Sequence, residues 1–251
     1  MEGTAINSRE NNAKIYLNIY IGSQIVGLLA ICLTVVWISR YLEGFGWDDP
    51  ILQFNYHPFF MVLGLVVVYG NSILVYRVLR KQRKYYLKLV HAALNFLAFI
   101  FASFAIFAVF DFHNRKNIPN MYSLHSWIGL GTFALFGLQF VGGFISFLSP
   151  GLAPFYRKLV MPYHIYGGVT LFAMACASCI SGITEKALFS IGAAEYKKLP
   201  SAAFVLNFLG LSIVVFGLLV TFLVTREDYK RQPLPEEQNI QTSRDQTSST
   251  F

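Results

Sequence analysis

The sequence predicts an all-α, polytopic membrane protein with six transmembrane helices, and three observations carry that expectation. Of 251 residues, 55% are hydrophobic and only 13% are charged, whereas a soluble domain carries about a quarter charged residues. Six charge-free stretches each exceed the roughly 20 residues needed to cross about 30 Å of hydrocarbon as a helix. The chain shows none of the strict polar–apolar alternation that marks a membrane barrel.

The first stretch covers residues 15–39, the second 51–76 and the third 89–110. The fourth, 117–156, is too long for one straight span. Ser149, Pro150, Gly151 and Pro154 break it, leaving a helix over about 121–148. The fifth covers 159–184 and the sixth 199–225, where Pro200 opens the helix and Ser201 serves as its N-cap. The domain reading is a cytoplasmic N-terminal segment over 1–14, a six-helix domain over 15–225 and a disordered cytoplasmic tail over 226–251, rich in Gln, Ser and Thr. No cleaved signal peptide is expected ahead of the first apolar run.

Orientation follows from the basic residues. Arg77, Arg80, Lys81, Arg83, Lys84 and Lys88 separate the second and third helices, with no acid among them. Arg157 and Lys158 join the fourth and fifth, and Arg226, Lys230 and Arg231 follow the sixth. The opposite loops are mixed or acidic, as with Glu43, Asp48 and Asp49. The positive-inside rule therefore puts both termini in the cytoplasm. It also reads the net charge of +7 as membrane-flanking charge, so no nucleic acid partner is expected beside the lipid bilayer. Cys32, Cys176 and Cys179 all lie in apolar runs, so no disulfides are expected, and Cys176 and Cys179 are expected to pack in the core and not to form a zinc site.

Four of the five histidines, His57, His91, His125 and His164, fall inside the apolar helices, each on a different one. An ionisable residue in a membrane helix is a functional candidate by default. His57 and His125 lie near the outer ends of their helices, and His91 and His164 near the inner ends, each roughly 6 Å deep. Two layers of two histidines suit two haem groups stacked across the membrane, each iron ligated above and below its plane. Such saturation favours electron transfer over oxygen chemistry. A haem-free transporter using the histidines as a proton relay fits the same pattern and stays open. Lys84, Lys88 and His91 share one helical face, so the lysines either set topology or dock a small anion below the inner layer. His113, in a loop with Asn114, Asn117 and Asn120, is either a bland exposed residue or a group above the outer layer.

Residues 72–80, SILVYRVLR, resemble the ascorbate-associated motif ALLVYRVFR of the cytochrome b561 family. Residues 122–129, YSLHSWIG, resemble that family's second motif, centred on a haem-ligating histidine. The likeness runs from the first helix to the end of the sixth, and Ser72, Ile73 and Leu79 depart from the first motif without removing a charge. The resemblance implies a four-helix haem-binding core with two non-covalent, bis-histidine haem b groups. His91 and His164 would hold the inner iron, and His57 and His125 the outer. It implies cytosolic ascorbate as electron donor, contacted by Arg77, Lys84, Lys88 and Arg157. It implies a ferric chelate or monodehydroascorbate as acceptor, with His113 acting at the outer face, and a homodimer. Residues 68–71, 180–186 (ISGITEK) and 199–202 (LPSA) look nearest the animal ferric reductases of plasma membrane and lysosome. The late endosome or lysosome membrane is favoured, although the tail lacks an acidic dileucine signal. A secretory-vesicle protein that reduces monodehydroascorbate is the alternative.

Overall fold

The computed structural model describes the backbone of residues 2–238 and the side chains from residue 12 onward. Among these residues the chain is helical and contains no strand, and six helices are long and apolar enough to cross a membrane. They are α1 (Glu2–Tyr41), α2 (Pro50–Val78), α3 (Lys84–Arg115), α4 (Leu124–Phe147), α5 (Pro154–Ser190) and α6 (Ser201–Thr225). Helices α2 to α5 form the central bundle. Helices α1 and α6 pack on each other and against α2 and α5.

Small residues let the helices approach, because lipid supplies no hydrophobic drive for helix association. The Phe216 ring of α6 fits against Gly27 of α1 and Gly70 of α2. A Cβ at Gly70 would stand 2.7 Å from that ring. Ala98, Ala102, Ala105 and Ala108 recur along one buried seam of α3. There Gly64 of α2 approaches so closely that a Cβ would meet Phe101 at 2.9 Å. Gly64 belongs to a π-helical segment over Val62–Val68, whose wider turn rotates the second half of α2 relative to the first. Cys176 and Cys179 pack in the core as expected, and neither forms a disulfide.

Polar contacts fix the helix ends. Asn55, almost fully buried, donates to the carbonyls of Leu42 and Gly44 and pins the α1–α2 loop. Buried Gln53 donates to Asp111 at 2.7 Å and meets Arg115, joining the same end of α2 to α3. Ser123 caps α4 and exchanges hydrogen bonds with Ser126 in a capping box.

Several sequence expectations need correction. Helix α3 starts at Lys84 and ends at Arg115, so His113 stands in its last turn and not in a loop. Helix α5 continues to Ser190, past the expected end at 184. Pro200, not Ser201, occupies the N-cap of α6, with Ser201 its first helical residue. Helix α1 extends back to Glu2 through the expected N-terminal segment. Of the tail, residues 226–238 hold defined contacts: Tyr229 is buried against Tyr16, Glu236 pairs with Arg83, and Glu237 pairs with Arg231 while accepting from the Lys84 backbone. These bonds hold the Glu237 carboxyl down at about 2, first through its hydrogen bond from Arg231. The rest of the expected tail, 239–251, lies outside the described residues.

Candidate functional site

The bundle brings the four membrane histidines together as two pairs. His57 of α2 faces His125 of α4, with ring centroids 6.1 Å apart. His91 of α3 faces His164 of α5 at 6.2 Å. Two metal–imidazole bonds of about 2 Å, with about 1 Å more from each nitrogen to its ring centre, separate the centroids by about 6 Å. Both gaps therefore match a metal held between two imidazoles.

Three of the rings are oriented by backbone. The Nδ1 of His57 donates to the Ala105 carbonyl at 3.1 Å, that of His91 to Ser72 at 2.8 Å and that of His125 to Ser178 at 2.9 Å. Engaging Nδ1 in this way leaves Nε2 available to ligate a metal and fixes the ring plane. At His164 the partner is the Gln139 side chain, whose amide lies 3.1 Å from Nδ1 and donates to the His164 carbonyl at 2.6 Å. Glycines flank two rings reciprocally. Gly182 of α5 lies against His125 of α4, where a Cβ would come within 2.6 Å of Cε1. Gly143 of α4 lies against His164 of α5, where the figure is 2.7 Å.

Among the described residues, no three His, Cys, Asp or Glu side chains cluster as a site for a bare metal ion. Two imidazoles alone leave most of a metal's coordination sphere unfilled. A macrocycle would supply the remaining ligands, so the donor set fits haem. The His57–His125 pair lines a cavity of about 450 Å³ with walls that include Phe54, Met61 and Leu130.

Expected donor-binding residues lie around the inner pair. Lys84 and Lys88 lie on α3 in register with His91, and Lys88 is within electrostatic reach of both Lys84 and Arg157. Lys88 Nζ donates to the Phe147 carbonyl at 2.7 Å, which ties it to the end of α4 beside the Phe147 ring that contacts His164. Arg77 follows Tyr76, whose ring contacts His91, and donates to the carbonyls of Val224 and Arg226 at the end of α6.

At the outer cavity, His113, Asn120 and Tyr122 line the wall, whereas Asn114 and Asn117 do not. Asn120 holds the loop by donating to Asn114 at 2.9 Å. The His113 ring stacks near Tyr122 with centroids 6.2 Å apart. Burial raises the Tyr122 hydroxyl above the ordinary phenol range, and the neighbouring Glu185 carboxylate raises it further. Sequence reasoning missed Gln139, Gly143, Gly182 and Lys186. Gln139, a polar amide within a charge-free stretch, carried a readable signal.

Residues 56–190 match the family model for eukaryotic cytochrome b561. The chain is 42% identical to a plasma membrane ascorbate-dependent reductase of Xenopus tropicalis, over 94% of this chain and 83% of the relative. It is 40% identical to a lysosomal membrane ascorbate-dependent ferrireductase of Bos taurus, over 88% and 84% respectively. A transmembrane ascorbate-dependent reductase of Bos taurus is 37% identical, over 96% and 94%.

Proposed function

The chain belongs to the eukaryotic cytochrome b561 family, and from that premise we propose that it is a transmembrane ferric reductase. It takes electrons from ascorbate at its basic face and reduces a ferric chelate at the opposite face. The observation that carries this reading is the pair of matched histidine gaps, 6.1 and 6.2 Å between centroids, one near each end of the bundle. Two haem b groups, held non-covalently by His57 with His125 and by His91 with His164, supply one-electron transfer when bound.

The chain's own residues do the rest. Lys84, Lys88 and Arg157 concentrate and orient the ascorbate anion beside the inner pair, on the face that the positive-inside rule places in the cytosol. Arg77 also holds the end of α6, by donating to the Arg226 carbonyl. On the other side His113, a neutral imidazole suited to iron-group metals, positions the chelate with Asn120 and Tyr122 at the cavity mouth. Each ascorbate that gives up one electron is matched by one ferric ion reduced to ferrous. The outer face is that of the plasma membrane or the lumen of late endosomes and lysosomes, the membranes named for two of the relatives.

Proteoliposomes loaded with ascorbate test the reading. External ferric chelate should be reduced, and His113→Ala should slow that step by about tenfold or more while both haems remain present and reducible from inside. An unchanged ferric rate in the variant would remove His113 from the mechanism. No reduction by the unaltered protein would refute the assigned reaction.

A further inference from the structure

Lys186 is the only lysine or arginine lining the outer cavity among the described residues. Its ammonium nitrogen lies 4.2 Å from the centre of the Phe54 ring. No carboxylate of the described residues forms an ion pair with it. The adjacent Glu185 is engaged instead at the start of α4, where it accepts from Ser123 at 3.1 Å.

Two registers place this ammonium. Lys186 follows Gly182 by four residues on α5, so both occupy one face about a turn apart. Gly182 is the residue pressed against the His125 ring. Phe54 precedes His57 by three residues, and their rings stand 6.0 Å apart. The cation thus sits about one turn outward of the His57–His125 gap, against an apolar wall. A half-buried charge in such a place is costly to desolvate unless an anion meets it. An aromatic face gives only partial compensation.

We propose that Lys186 is a carboxylate-binding residue of the outer cavity. The inference rests on the reading of the outer pair as a haem site. Two sources could supply the carboxylate: a propionate of that haem, or the chelator of an anionic ferric complex arriving at the mouth. Either would accept a charge-assisted hydrogen bond from the ammonium group.

The test uses the full chain with Lys186→Met, Lys186→Gln and Lys186→Arg. Haem content is measured first, then the midpoint potential of the outer haem, then KM for ferric citrate and for the neutral tris-maltolate complex of iron. Binding of a propionate requires that the Met and Gln variants lower the outer midpoint potential or lose the outer haem, because removal of a positive charge favours the ferric state. Binding of the chelate requires about a tenfold rise in KM for ferric citrate alone, the cost of one charge-assisted hydrogen bond. The Arg variant should stay close to the unaltered protein in both cases. Unchanged potential, haem content and both KM values in the Met or Gln variant overturn the proposal. Absence of haem from the outer pair of the unaltered protein would instead overturn the underlying reading.

Discussion

Each membrane histidine is held by something other than its opposite number, and that is what makes the pairs usable. The carbonyls of Ala105, Ser72 and Ser178 take three of the Nδ1 atoms, and Gln139 meets the fourth. Gly143 and Gly182 clear the space beside two rings, each on the helix opposite the histidine it serves. Gly182→Ala should therefore disturb the outer pair and Gly143→Ala the inner pair. Disturbing an orienting contact typically costs about 10–100-fold in metal affinity, so each variant should lose one haem selectively when washed in detergent, as read from the absorption spectrum. Equal loss of both haems, or of neither, would contradict these roles. The histidines were legible in the sequence because an ionisable side chain stands out in an apolar stretch. Their supports were not. A backbone carbonyl has no side-chain signature, and Gly143 and Gly182 look like any glycine of a membrane helix until the neighbouring ring is seen.

At the scale of elements, α3 shows how charge hides helix. A charge-free stretch marks the part of a helix that sits in hydrocarbon, not its ends, because basic residues extend helices into the headgroup region. The six spans were therefore readable, while the charge-free stretch over 89–110 left out Lys84 and His113, both of which α3 includes. Their inclusion strengthens the functional reading of Lys88, which stands one turn from Lys84 and three residues from His91 on a continuous helix. Lys88→Ala should slow reduction by ascorbate several-fold while leaving dithionite reduction and haem content intact, because the lysine raises the local concentration of an anionic donor. The difference between variant and unaltered protein should shrink as salt rises, since exposed charges are screened within about 8 Å at physiological ionic strength. Stopped-flow reduction at two salt concentrations checks this. Equal ascorbate kinetics in both proteins would leave Lys88 only its bond to the Phe147 carbonyl.

The molecule as a whole is a bundle with a gap between paired histidines toward each end and two outer helices that close its flank. The basic residues, the end of α6 and the defined part of the tail meet on one face, where Arg80 covers Tyr16 and Tyr229 packs beside it. His113 and the outer cavity occupy the other. This separation makes vectorial electron transfer the natural reading, and it depends on both gaps holding haem. The most direct measurement is a pyridine haemochrome assay against protein concentration, made on the unaltered chain and on His57→Ala. The account requires about two extractable haems per chain, falling to about one in the variant, with the remaining haem still reduced by ascorbate. A ratio near one or zero in the unaltered chain, haem that resists acid-acetone extraction, or loss of both haems from folded His57→Ala protein would contradict it.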